Sequence, residues 1–126
     1  VTVPVLAQSL TVVENGFTFE AWGTFAANAN TKTLRVKFGG TTLMQNDKTT
    51  APNGVDWYVK VNVLYRANNV MTVLAKMQVD CVNQTPNSVT VGEDDDALLN
   101  FVITGQNGTA SAGDITKEGV FALHLS

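Results

Sequence analysis

The residues able to carry out chemistry are few and widely separated. One histidine, His124, and one cysteine, Cys81, are present in 126 residues, so a Ser-His-Asp set would have to use His124. That residue falls in an alternating strand pattern two positions from the end of the sequence, and it reads as a surface or interface imidazole rather than a general base. Cys81 shares the apolar parity of its segment and reads as a small buried residue, not a reactive thiol. No GxSxG elbow, phosphate-cradling loop or Cys/His zinc spacing occurs, so neither a cofactor nor a metal is implied. The densest charge run is Glu93-Asp94-Asp95-Asp96. Four carboxylates suit a hard cation, but the spacing is not that of an EF-hand loop, and a solvated loop is the simpler expectation. Glu20, Asp56 and Glu118 are the carboxylates from which a glycoside-hydrolysing pair would be drawn, and sequence alone places no two of them together. Asn83-Gln84-Thr85 and Asn107-Gly108-Thr109 match the N-glycosylation sequon, which matters only in a protein secreted by a eukaryote. The chain is therefore expected not to be an enzyme.

The elements that would position these groups follow from composition and periodicity. At 13.5 kDa with 44% hydrophobic and 15% charged residues, the chain is one domain, residues 1–126, able to bury a core. Eleven acidic against eight basic residues give a net charge of −3, lacking the basic excess that phosphate contacts need, and nucleic acid is excluded as a partner. No apolar run is long enough to insert in a membrane as a helix. Eighteen Val and sixteen Thr favour pleated strands, and twelve Asn favour turns.

Alternation locates the strands. From Asp56 to Arg66, Trp57, Val59, Val61, Val63 and Tyr65 form the inward set. After a turn at Asn68-Asn69, Met71, Val73, Ala75, Met77, Val79 and Cys81 continue it, which predicts a long hairpin. Phe17, Phe19 and Ala21, then Leu34, Val36 and Phe38 before a Gly39-Gly40 turn, predict two more strands. A short strand follows at Thr42 to Gln45. Leu99, Phe101 and Ile103, and Phe121, Leu123 and Leu125, predict half-buried strands downstream. With Val1 to Leu6 and Leu10 to Val13, about eight or nine strands result, at the spacing of an all-β, jelly-roll-like antiparallel β-sandwich. Asn46 to Gly54 and Gly105 to Gly113 read as loops.

One oddity remains. Tyr58 and Leu64 fall on the outward parity of the longest strand, among Lys60, Asn62 and Arg66, and Trp22 lies outward beside Thr18 and Glu20. Three readings are open. A loop or terminal strand covers the face; or Trp22, Tyr58, Leu64, Arg66 and His124 line a subunit interface; or the aromatics form a glycan platform. End loops are an equally suitable place for glycan recognition, with Asn53 and Asn107 as the contacts.

The block Phe19-Glu20-Ala21-Trp22-Gly23-Thr24 through Lys32-Thr33-Leu34-Arg35-Val36-Lys37-Phe38-Gly39-Gly40-Thr41-Thr42-Leu43 is more specific. It resembles a domain near the C-termini of bacteriophage tail fibres, tailspikes and other virion proteins. The Asp56 to Arg66 strand, its hairpin partner and the closing Gly119-to-Leu125 run are similar to the same domain. The resemblance covers roughly Gly16 to Ser126. It implies a jelly-roll-like sandwich that forms a homotrimer in the virion, with an assembly role or contact with a host surface glycan. It supplies no catalytic or sugar-binding residues. A first residue other than Met fits the expectation of a fragment cut from a longer fibre or spike chain.

Overall fold

The computed structural model describes residues 2–5, 15–48, 54–84, 87–92, 99–109 and 112–125. All assigned elements are strands: β1 (Thr2–Val5), β2 (Gly16–Phe25), β3 (Lys32–Phe38), β4 (Thr41–Lys48), β5 (Val55–Ala67), β6 (Val70–Val79), β7 (Val82–Asn83), β8 (Asn87–Val91), β9 (Leu99–Asn107) and β10 (Ile115–Leu125). They form two antiparallel sheets. One has the order β1-β9-β3-β4; the other runs β10-β2-β5-β6-β7, with β8 also on β6. The protein is an all-β sandwich. The chain changes sheet between β1 and β2, β2 and β3, β4 and β5, β8 and β9, and β9 and β10, as a jelly-roll-like path requires. The β3–β4 and β5–β6 hairpins stay within a sheet. Eight of the ten strands answer to expected ones; β7 and β8, which pair side by side along β6, were not expected.

Alternation dictates the core. Phe19, Ala21 and Phe25 of β2, and Trp57, Val59, Val61, Val63 and Tyr65 of β5, face inward with the odd residues of β6 from Met71 to Val79. Leu34, Val36 and Phe38 of β3 and Leu99, Phe101 and Ile103 of β9 meet them from the other sheet. The Phe19 and Phe101 rings stack across the sandwich with centroids 5.1 Å apart, and Phe38 lies 4.7 Å from Phe101.

Four local features depart from simple alternation. In β4 the register shifts between Val36 and Lys37 of its partner, so Leu43 is an extra residue and both Leu43 and Met44 turn inward. The strand also runs to Lys48, past the expected Gln45. Cys81 is not buried: Asp80 and Cys81 form a two-residue turn between β6 and β7 with φ of 56° and 57°, and the thiol is exposed. The expected loop from Gly105 begins as strand, because Gly105, Gln106 and Asn107 pair with Leu34, Thr33 and Lys32. Finally, β10 is not half-buried. Among the described residues it pairs only with β2, and Val120, Phe121 and Leu123 are exposed on both of its faces. The expected strand Leu10 to Val13 lies outside the described residues.

The shared Phe101 ring gives a direct test. Phe101→Ala should cost about 3–5 kcal/mol in urea unfolding, whereas Val82→Ala, 60% exposed at the sheet edge, should change stability by less than about 0.5 kcal/mol.

Candidate functional site

The outer face of the six-stranded sheet gathers the residues that the sequence left unexplained. Antiparallel register places Trp22 of β2 directly opposite Tyr58 of β5, Glu20 opposite Lys60, and Thr18 opposite Asn62. On the other side of β2, Gly119 of β10 faces Trp22, Phe121 faces Glu20 and Leu123 faces Thr18. One face therefore runs from Phe121 and Leu123 through Trp22 to Tyr58, with Leu64 and Leu74 half-buried beyond.

The tryptophan is held flat by glycine. A Cβ on Gly119 would come within 2.1 Å of Trp22 Cζ2, so only glycine lets the indole lie on the β10 backbone. Glu118 is the extra residue of a bulge at this point. One ring face is covered and the side chain remains 41% exposed. The second tryptophan uses the same device inward: Trp57 packs against Gly23, and its indole N–H donates to the Thr116 carbonyl at 3.2 Å.

Polar groups on the face are largely paired with each other. Lys60 Nζ lies 2.9 Å from Glu20 Oε1, and the Thr18 hydroxyl donates to Asn62 Oδ1 at 3.0 Å. The Lys60 ammonium and then the Tyr58 hydroxyl hold the Glu20 carboxyl below its ordinary value. Desolvation and then the Glu20 contact push the Tyr58 phenol up, and the Glu20 contact raises Lys60. Asp56 is not brought to Glu20. It pairs opposite Thr24, four residues along β2, roughly 13 Å away at strand rise, which is beyond the spacing of a glycosidase carboxylate pair.

Two cavities adjoin this framework. A groove of about 470 Å³ beside Tyr58 is lined by Lys76, Met77, Gln78, Asn83 and Gln84. A smaller cavity of about 220 Å³ at the sandwich end is lined by Trp57, Ile103, Asn107, Asp114 and Lys117, among others.

Other anticipated site residues are dispersed. Arg66 is exposed at the end of β5, its Nε 3.4 Å from the Thr72 hydroxyl. His124 pairs in register with Phe17, and its side chain lies outside the described residues. Asn107 is half-buried in β9 opposite Lys32, at the end cavity rather than in an open loop. Asn53 and Glu93 to Asp96 lie outside the described residues. Among those described, no three His, Cys, Asp or Glu side chains gather as metal ligands.

A polar cluster at the same end was not anticipated. Lys32 is fully buried and Asp114 is 2% exposed. Asn28 and Asn30, in the β2–β3 connection, each donate a side-chain amide to Asp114, at 2.6 and 2.8 Å, and Lys32 Nζ donates to Asn28 Oδ1 at 2.6 Å. A signal was present in sequence: Lys32 shares the inward parity of Leu34, Val36 and Phe38.

Comparison with known proteins finds no family whose sequence pattern matches the chain and no curated relative.

The ion pair makes pH-dependent behaviour specific. A carboxyl lowered on folding contributes stability above its unfolded value and loses it as pH falls through the folded value. NMR titration of the Glu20 carboxyl should give a midpoint below that of an ordinary glutamate, and Lys60→Gln should move it upward.

Proposed function

We propose that this domain is a non-enzymatic structural module of a phage tail fibre or tailspike, and that it holds copies of the chain together as a homotrimer. The carrying observation is the edge strand β10, which exposes Val120 at 40%, Phe121 at 49% and Leu123 at 45% beside the exposed Trp22. Large apolar residues on both faces of an edge strand are a liability in an isolated domain and an asset in a subunit contact. Burying the part of Phe121 and Leu123 that is still exposed is worth roughly 1 kcal/mol per side chain.

A second copy of the chain is the occupant best matched to this face. The Glu20 and Lys60 charges neutralise each other; Lys76, opposite Lys60 on the same face, is the charge that such a contact must leave in solvent. In a three-fold ring the contact is heterologous. The β10 side of one copy then meets a different patch on the next, and Tyr58, Leu64 and Leu74 supply apolar surface on the same sheet. The resemblance to virion fibre domains supplies the setting and the three-fold state.

A carbohydrate-binding module is the second reading, favoured by the groove beside Tyr58, where an aromatic adjoins Lys76, Gln78, Asn83 and Gln84. An aromatic with neighbouring amides suits a sugar ring and its hydroxyls.

Light scattering across a dilution series tests the first reading. The expected mass is three times 13.5 kDa, falling to one chain in Phe121→Glu/Leu123→Glu with the circular dichroism spectrum unchanged. A monomer at every concentration overturns it. Binding of that monomer to bacterial surface polysaccharide, abolished by Tyr58→Ala, would establish the second reading instead.

A further inference from the structure

The buried cluster at the sandwich end is arranged for covalent chemistry, not only for hydrogen bonding. We propose that Lys32 Nζ condenses with the side-chain amide of Asn28 to form an intramolecular isopeptide bond, with Asp114 as the proton-transfer group.

The orientation of the Asn28 amide is fixed by three partners. Its Oδ1 receives the Lys32 amine at 2.6 Å and the Asn30 backbone N–H at 3.0 Å, so this atom must be the acceptor. Its Nδ2 donates to Asp114 Oδ1 at 2.6 Å, so that atom must be the donor. Each contact has a counterpart in amide exchange. A carbonyl bond of about 1.23 Å puts Cγ less than about 4 Å from Nζ, close to the separation of reacting atoms. The Asn30 N–H lies where negative charge develops on Oδ1 in a tetrahedral intermediate. Asp114, itself held by the Asn30 side chain at 2.8 Å, lies against the nitrogen that must leave.

The step balances. The neutral Lys32 amine attacks Asn28 Cγ, and the Nζ–Cγ bond forms as the carbonyl π pair moves to Oδ1. Collapse of the intermediate breaks Cγ–Nδ2. Lys32 Nζ gives up two protons in all, one before it attacks and one from the adduct, where Oδ1 is the group it touches. Asp114, against Nδ2, delivers one as that nitrogen departs, and the released ammonia takes up the other, so the nitrogen is lost as ammonium and Asp114 ends as the carboxylate it began as. The net reaction is Lys–NH3⁺ plus Asn–CONH2 to a secondary amide plus NH4⁺, with no oxidant, reductant or cofactor. The product N–H keeps the contact with the Asn30 carbonyl, now 3.0 Å from Nζ.

Burial makes the arrangement more than a coincidence of surface groups. Lys32 is fully buried and Asp114 nearly so, which keeps out the water that would compete with the amine for the Asn28 carbonyl. Because the ring spans only residues 28 to 32, its effect on unfolded-chain entropy is small. Its consequence is to fix the β2–β3 connection.

Intact-mass spectrometry of the purified folded chain tests this directly. The expected mass is one ammonia below the sequence mass, with fragmentation locating the link between Asn28 and Lys32 and tryptic cleavage after Lys32 lost. Asp114→Ala should keep the full sequence mass. A succinimide at Asn28 would also lose ammonia, but it opens in hydroxylamine and needs no lysine. Full sequence mass in the folded wild-type chain, or the same ammonia loss in Lys32→Arg, overturns the proposal.

Discussion

Two sheets that share no strand can hold a common register only through the side chains between them, and here one aromatic column makes that connection. Phe101 of β9 stacks on Phe19 of β2 with the ring planes 2° apart and touches Phe38 of β3. The three rings are each at most 1% exposed. Because side-chain direction alternates along a strand, slipping any of these three strands by one residue would replace a ring by a polar neighbour such as Thr18, Lys37 or Asn100. The column thus fixes which residues of β2 face outward. Trp22 stands opposite Tyr58, and Glu20 opposite Lys60, as a consequence of Phe19 pointing inward.

The sandwich is finished unevenly. At one side of the large sheet, β7 and β8 cover β6, and Asn46 and Asn87 tie this edge across to the smaller sheet through Gln84 and the Leu43 carbonyl. At the other side β10 has apolar side chains in both directions. Within β10 the two halves differ: Lys117, Glu118 and the bulge precede an uncharged run from Val120 to Leu123. Charge and irregularity discourage further strand pairing in the first half only.

Much of this was legible in sequence because alternation is a strong signal in long central strands. The β5–β6 hairpin, its Asn68-Asn69 turn and the inward set from Trp57 to Val79 follow from residue parity. Parity fails where geometry inserts a residue or ends a strand. It could not show that Leu43 is a bulge, that Cys81 has already left the strand, or that Val120, Phe121 and Leu123 of β10 are exposed. Trp22, Tyr58 and Leu64 could be singled out as outward apolar residues, but Phe121 and Leu123 read as core, since an edge strand and an inner strand share the same period. Asp114 lies 86 residues from Asn28, and no local pattern reports a partner so distant.

The Asp80-Cys81 turn bears on where the pairing information of the last hairpin resides. Both residues adopt the left-handed conformation, which glycine, asparagine and aspartate accept and which Cys81 resists, at about 1–2 kcal/mol. A turn built from Asn-Gly would dictate its own geometry; this one is bent into shape by what it joins. Val79 must remain in the core, the Asp80 N–H is held by the Asp56 carbonyl at 2.9 Å, and the Gln84 N–H is held by Met77 at 2.8 Å. The strands therefore instruct the turn, so the pairing of this hairpin is specified by the sheet it joins and not by its own two turn residues.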